Sequence, residues 1–589
     1  MTIGMKKNAV RSVCTFDPRV VPASVPDSWL SLAREIDYTP PGFYIRTCHS
    51  VRDGSTFGIE LLDAKGVPVA GEPSSTPALT VIQGRSARLE CVFGAGGCVR
   101  LRVRGGRARL TLQHIKGYGP VIFAHNADRI QATLSAVAGQ FAVTRLTGRM
   151  TLDAPWQGDR VEHGIIELVP TAGDWAELAV EAMQSTWPAT QHNETFAEVV
   201  ARRETEFSAF LKPLPAALPG HDAARALAGY ILWSCLAPPR GIVVRPVMLM
   251  SKHGMPRVWS WDHCFNAVAL AGSHPDLAWH QFQAFVEHQD ADGCYPDSCN
   301  PVRSEWEYVK PPIHGWALAR MIEWADPGTA RLKEAYEPLV RWTRWWLNAR
   351  DQDGDGLPEI HHGNDTGADN STIMNLGMPL ATPDIAAYLV IQLESLAQVA
   401  ERLGRRWDAA LWREQSTRLL QRHFALQWRA GEPRAIRPGH GALPQPGDAL
   451  QPWMTVVLGE RLPAAKQKAC VKALSRFRCC AGLATEALTS PLHERDGYWR
   501  GPVWAPYTLL ACDGLRRMGQ QNLASAIATD FVGNCQSAGF AENFAADNGA
   551  PLRDRAYTWT ASVYFTLAQQ FLQHSGRFVD KSRTIGSPP

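Results

Sequence analysis

The sequence lacks most of the features that mark the commoner function classes. It has no apolar run long enough to span a bilayer, and Lys6, Lys7, Arg11 and Asp17 break up any leader-like stretch near its start, so no membrane partner is expected. It lacks a charge excess of either sign: 60 Lys and Arg stand against 57 Asp and Glu, a formal balance of +3. Nucleic-acid partners call for a clustered basic face, and none is seen. The one local cluster, Arg100, Arg102 and Arg104, alternates with Val99, Leu101 and Val103 and reads as the wet face of a strand. The 13 cysteines are odd in number and irregular in spacing, with no CxxC and no Cys/His set at zinc distances. They read as reduced, mostly buried thiols of a cytoplasmic protein. No GxSxG elbow, phosphate loop or dinucleotide fingerprint follows a predicted strand, which leaves serine-hydrolase and nucleotide chemistry without support. No fixed-length repeat is present either.

What is present divides the chain in two. In the first third, ARLECVF (87–93), CVRLRV (98–103) and ARLTL (108–112) alternate apolar with polar residues and are separated by AGG and GG turns, a hairpin signature. Residues 140–146 and 164–168 continue the pattern. Short strands with Gly and Pro punctuation predict an antiparallel β-sandwich over 1–192. A charged segment with helical period follows, and 193–221 reads as a helical linker. From 222 to 578 the period is that of helices, about a dozen of them, several opened by Pro and an acidic residue such as Pro275-Asp276 and Pro383-Asp384. The absence of intervening strands excludes βαβ folds. Paired helices close into an (α/α)6 barrel or stack as an open solenoid, and periodicity alone does not choose. Residues 579–589 form a C-terminal tail.

The most informative stretch is DQDGDGLPEIHHGNDTGADNS, Asp351–Ser371, a loop between Trp-rich helical segments and too acidic for a core element. A second loop, SAGFAENFAADNG at 537–549, has the same character. Two separated loops that each offer a carboxylate suit acid/base work on a neutral polar substrate. The opening DxDxDG of Asp351, Asp353, Asp355 and Gly356 matches the start of a calcium loop, although His362 stands where a bidentate glutamate is expected in an EF-hand. A structural calcium ion is one reading; an Asx-rich turn between two helices is the other. No other cofactor is called for. The histidines at 253, 263, 288, 314, 361 and 362 lack metal spacing and read as packing or sugar-contact residues.

The order VWSWDHCF (258–265), HQDADGCYP (288–296), PPIHGWA (311–317), DGDGLPE with DTGADNS (353–371), YWRGPVW (498–504), the AEN loop and YTWTA (557–561) resembles the inverting (α/α)6-barrel glycosidases of glycoside hydrolase family 63, and more distantly the trehalases. The resemblance covers roughly residues 225–575 and implies an α-glycosidase on a barrel. It implies that Asp369 is the general acid and Glu542 the general base. It further implies that Trp261, Asp262 and Gln289 line the sugar subsite, with Trp259 left to the core, and that Tyr498, Trp499, Arg500, Gly501 and Trp504 form a rim. Trp559 joins the apolar wall. Asp365 stands among the expected sugar contacts where relatives carry glutamate, and its shorter side chain shifts whatever it hydrogen-bonds. The chemistry is coherent on its own: inversion needs one carboxylic acid to protonate the leaving oxygen and a carboxylate on the opposite face to activate water. An apolar wall would keep the acid protonated.

The expected substrate is an α-linked oligosaccharide or glucoside from which glucose is released. The alternative is a small glycoside such as glucosylglycerate, mannosylglycerate or trehalose. A phosphorylase is disfavoured because phosphate would replace the base. A reading of another class is a non-catalytic carbohydrate-binding protein.

Overall fold

The computed structural model describes residues 14–36, 40–49, 54–113, 119–135, 139–171 and 174–573. The expected C-terminal tail lies outside the described residues. The chain divides into two compact units. One runs to Lys212 and takes in Asp222–Leu236 and Lys252–Gly254; the other holds Pro213–His221, Ala237–Ser251 and the chain from Met255 onward. The helix Asp222–Ser234, placed by its period at the head of the helical domain, therefore groups with the sheets. Its Tyr230 hydroxyl accepts from the Ser24 backbone N–H at 3.0 Å and lies 3.1 Å from the Pro22 carbonyl.

The first unit carries two antiparallel sheets. The six-stranded sheet runs, in spatial order, Leu30–Arg34, Phe43–Thr47, Ser55–Leu62, Arg107–Leu112, Ile165–Val169 and Arg149–Asp153. The eight-stranded sheet runs Pro73–Ser75, Thr80–Gln83, Arg88–Phe93, Val99–Arg104, Ala176–Met183, Gly139–Thr147, Arg129–Leu134 and Val121–Asn126. The AGG turn does close a hairpin, Arg88–Phe93 with Val99–Arg104. The GG turn does not: Val99–Arg104 and Arg107–Leu112 belong to different sheets, so Gly105-Gly106 is a crossover. The arginine stripe is not uniformly wet. Arg100 is buried, with its guanidinium donating to Glu177 at 2.5 Å and to the Glu194 carbonyl at 2.7 Å.

The second unit is helical. Its helices are α1 (Asp262–Leu270), α2 (Pro275–Phe282), α3 (His314–Ala325), α4 (Thr329–Ala349), α5 (Pro383–Arg402), α6 (Arg406–Arg422), α7 (Ala464–Phe477), α8 (Ala505–Arg517), α9 (Gln521–Ala538) and α10 (Thr558–Leu567). A 3-10 segment, Gln451–Arg461, stands between α6 and α7. Six of these elements close a ring by neighbour contacts: α1 to α3, α3 to α5, α5 to the 3-10 segment, that segment to α8, α8 to α10, and α10 back to α1. This closure selects the (α/α)6 barrel over an open solenoid. Burial follows the ring. Every residue of α1 and of α10 is buried, whereas the outer helix α6 buries only Ala409, Trp412, Ser416 and Leu419. An inner helix is covered on all sides and reads apolar all round; an outer one needs only one apolar stripe. Among the described residues no helix is long and apolar enough to cross a membrane. All 13 cysteines are free thiols, and only Cys480 is exposed.

Candidate active site

Between successive ring elements stands one outer helix, α2, α4, α6, α7 and α9 in turn, as expected where the inner elements share a direction. Their N-termini lie at one mouth. Asp262 is the first residue of α1, Trp559 the second of α10, and Trp504 immediately precedes α8. Asp369 and Glu542 lie in the loops that lead to α5 and α10. One architectural rule thus gathers residues scattered over some three hundred positions.

Short strand pairs fix the loops. Trp259 pairs with Ser298, and the Ser260 backbone donates to the Asp297 carbonyl at 3.0 Å, which sets Asp297 beside Trp261 and Asp262. Trp504 pairs with Asn543, so the rim segment runs alongside the loop that carries Glu542. Trp559 Nε1 donates to the Glu542 carbonyl at 3.1 Å, and the Glu542 backbone N–H donates to the Asp554 carbonyl at 2.7 Å.

The loop of Asp369 is clamped by its neighbour. Asn370 accepts from the Trp499 backbone N–H at 2.9 Å and donates to the Gly497 carbonyl at 3.0 Å, while Arg500 Nε donates to the Asn370 carbonyl at 2.9 Å. Gly367 lets this loop lie on the Trp261 ring: its φ is +71°, and a Cβ there would meet Trp261 Cζ2 at 2.4 Å. Trp261 contacts Trp499 and Trp559, with centroids 6.3 and 5.9 Å away, and Trp499 stacks on Trp504 at 4.1 Å and 6°.

The electrostatics single out a few groups. Glu542 is buried and pushed up to about 8, first by burial and then by the Asp554 carboxylate, with Arg553 opposing. Asp369 is raised by burial; Lys310 pulls against this, Asp297 adds to it, and the Tyr498 hydroxyl hydrogen-bonds the carboxylate. Asp369 nevertheless keeps 26 % of its side chain open. Asp262, only 2 % exposed, is raised well above the ordinary range by burial. Glu542 feels the charge of Asp369, and Tyr498 that of Asp369, Glu542 and Asp262, so the four groups lie near one another.

Several expected contacts are replaced by others. Asp365 is buried and bonded to the chain: its carboxylate accepts from Arg350 at 2.8 Å, from the Val309 backbone at 3.1 Å and from the His361 backbone at 2.9 Å. Gln289 is spent on the chain as well, donating to the Gly293 and Pro338 carbonyls at 2.8 and 3.0 Å and accepting from Arg341. Arg500 braces the loop of Asp369 and also reaches Asn375 at 3.0 Å. Gly501 is required by protein packing rather than by a ligand, because a Cβ there would meet the Glu494 carbonyl oxygen at 2.3 Å. Trp261 is the buried tryptophan and Trp259 the half-buried one, the reverse of their expected places. Trp504 and Trp559 are buried, and their indole N–H groups hold backbone carbonyls, Trp504 that of Tyr498 at 2.8 Å. They brace the site from behind.

Sequence reasoning passes over Lys310 and Asp297, which pair at 3.0 Å inside the pocket. The signal is there in part: a lysine beside Pro-Pro in an apolar stretch needs a buried partner. Tyr498 is expected on the rim, but nothing in the sequence announces its φ of +65°, a conformation rare outside glycine and often kept at functional sites.

The calcium-like loop has a donor set of its own. Asp351, Asp353 and Asp355 bring one carboxylate oxygen each within 4.8 Å of one another. A fourth carboxylate arrives from Glu359, four residues past Asp355 and only 1 % exposed, whose oxygens lack a well-formed hydrogen bond and feel all three aspartates. A buried, unpaired carboxylate beside three others is costly unless a cation is bound. The three aspartates fit a hard divalent ion, and Glu359 is a neighbouring carboxylate that feels their charge. A second cluster, His263, Cys264 and His314, is buried, with the two Nε2 atoms 3.2 Å apart. Burial pushes both imidazoles down, His263 to about 4, and a hydrogen bond between neutral rings accounts for the pair.

A six-membered helical ring with carboxylates at one mouth defines a barrel glycoside hydrolase, and the comparisons agree. Residues 255–560, just over half of the chain, match the family described as mannosylglycerate hydrolase MGH1-like glycoside hydrolase domain. The chain belongs to that family and is a glycoside hydrolase of the family 63 type. It is 22 % identical over 386 residues to mannosylglycerate hydrolase MGH2 of Selaginella moellendorffii, covering 52 % of this chain and 79 % of that protein. It is 21 % identical over 417 residues to glucosylglycerate hydrolase of Mycolicibacterium hassiacum, covering 52 % and 91 %. Among solved structures it resembles the Thermus thermophilus mannosylglycerate hydrolase bound to Tris and D-glycerate, with a TM-score of 0.52, 18 % identity, and 59 % and 100 % of the two chains covered. A bacterial glucoamylase in complex with acarbose gives a TM-score of 0.61 at 12 % identity and covers 98 % and 96 %, so the likeness in fold extends through the sheets.

Proposed function

We propose that the protein hydrolyses a small α-glycoside with inversion, Asp369 acting as general acid and Glu542 as general base. The observation that carries this is the meeting, in one tryptophan-backed pocket, of two carboxylates from loops far apart in sequence, both raised by burial. In the reaction Asp369 gives its proton to the glycosidic oxygen as the C–O bond breaks. Glu542 takes a proton from the water that attacks the anomeric carbon from the other side, and a β-configured sugar leaves. Trp261, Trp499, Trp504, Trp559 and Arg500 hold the loops.

The named activities of the relatives support a glycerate-type glycoside, mannosylglycerate or glucosylglycerate, in preference to an oligosaccharide cut by an exo-α-glucosidase. The test is a panel of α-mannosylglycerate, α-glucosylglycerate, trehalose and maltose, with free hexose as the readout. Release from the first two and not from maltose is expected. Maltose as the best substrate would restore the oligosaccharide reading. Calorimetric sugar binding without any release would point to the non-catalytic one.

We also propose that Asp351, Asp353 and Asp355 hold a calcium ion. It would stiffen the exit from α4 into the loop of Asp369 and take no part in the chemistry.

A further inference from the structure

We propose that Lys310 is a positioning residue for the acid: its ammonium neutralises one of three clustered carboxylates and leaves the deliverable proton on Asp369. The inference rests on the reading of Asp369 as acid.

Lys310 is 5 % exposed and sits ahead of α3. Its Nζ lies 3.0 Å from Asp297 Oδ1, 3.2 Å from the Asn364 carbonyl oxygen and 3.8 Å from Asp369 Oδ1, and it also feels Asp262. The groups that face Asp369 are Asp262 at the start of α1, Asp297, Lys310, His362 on its own loop, Tyr498 from the rim, Tyr507 on α8 and Glu542 ahead of α10. One ammonium among Asp262, Asp297 and Asp369 would leave two net negative charges if all three ionised. Uncompensated charge removed from water is costly, so such a cluster takes up protons. Asp297 is the closest partner of the ammonium, at 3.0 Å against 3.8 Å for Asp369. Asp262 is sealed, whereas Asp369 faces the pocket with a quarter of its side chain open. The proton that can be delivered to a leaving group therefore sits on Asp369. The ammonium 3.8 Å away limits how tightly that proton is held.

The sign follows. A nearby cation favours the ionised form of Asp369, so removing it makes Asp369 keep its proton to higher pH. Activity that needs a protonated acid then persists further into the alkaline range. The experiment is kcat against pH for the wild type, Lys310→Gln and Lys310→Arg, on the α-glycoside of the panel turned over fastest, with Asp369→Asn in parallel and circular dichroism to establish folding. Lys310→Gln should move the alkaline limb up by about one pH unit or more, in keeping with the effect of an opposite charge at this range. Lys310→Arg, which keeps the charge, should leave it in place. Lys310→Met, of similar length, gives the same reading if the glutamine variant does not fold. A folded neutral variant that loses rate equally at every pH, with the limb unmoved, overturns the inference while the inactivity of Asp369→Asn upholds the acid. An active Asp369→Asn overturns the reading on which it rests.

Discussion

The two carboxylates of the pocket are raised in different ways. Glu542 sits in a sealed corner, 5 % exposed, with a second carboxylate, Asp554, one backbone hydrogen bond away. Asp369 sits at the open side, with a lysine near it and a tyrosine hydroxyl on it. Burial dominates at both, and each has neighbours of both signs, but the strongest differs: the Asp554 carboxylate reinforces the shift at Glu542 against Arg553, and the Lys310 ammonium opposes it at Asp369 against Asp297. A base pushed up to about 8 is ionised, and able to take a proton from water, only from mildly alkaline pH upward.

The largest expected break is chemical. Asp369→Asn and Glu542→Gln should each lower kcat by about 10³-fold on an unactivated glycoside, the scale of one positioned acid or base. Steady-state kinetics check this, and near-wild-type turnover by either variant would remove that residue from its role.

A second prediction exploits the sealed corner. Glu542 ionises only near pH 8 in the fold but near its ordinary value when unfolded. Its stabilising contribution is whole below the unfolded value and is lost as pH rises toward 8. Glu542→Gln, which removes the titration, should therefore melt higher than wild type at pH 8 and show a smaller advantage at pH 5. An advantage that grows toward acid would contradict the assignment of a raised carboxyl.

Asn370→Ala removes both clamps between the loop of Asp369 and the rim, and should cost roughly 1–2 kcal/mol of stability together with a loss of kcat that exceeds the change in KM. Denaturant titration and kinetics on one preparation test the pair of effects. Unchanged kcat would show that the acid is placed without that clamp.

The smallest effect concerns the calcium loop. Millimolar calcium added to chelator-treated protein should raise Tm, by mass action on the folded state, and Glu359→Gln should reduce the rise without altering kcat. No calcium-dependent shift would mean that the four carboxylates stand without an ion.

The difference between the two loops also explains what can be read from the sequence. Strands and helices are legible wherever a period of two or of 3.6 runs uninterrupted, as in Arg88–Phe93 or Pro383–Arg402. Ring closure is not, because it depends on which helix meets which across hundreds of positions. Asp369 and Glu542 are visible as carboxylates in polar loops, and the motif order supplies their suggested roles. Asp365 and Gln289 look the same in sequence, yet their side chains are consumed by Arg350 and Arg341. A polar residue in a motif can serve the ligand or the loop, and only its hydrogen-bond partners decide. Lys310 and Asp297 escape notice for the converse reason: neither is unusual until the fold sets them face to face. The same holds for Glu359, whose orphaned oxygens gain meaning only beside the three aspartates.

The most direct test of the central claim is the anomeric form of the first product. Proton NMR of freshly released hexose, recorded before mutarotation, on the best α-glycoside of the panel should show the β-anomer first and the α-anomer growing only at the rate of mutarotation. An α-anomer present from the earliest spectrum would mean retention, and the pairing of Asp369 as acid with Glu542 as base would be wrong.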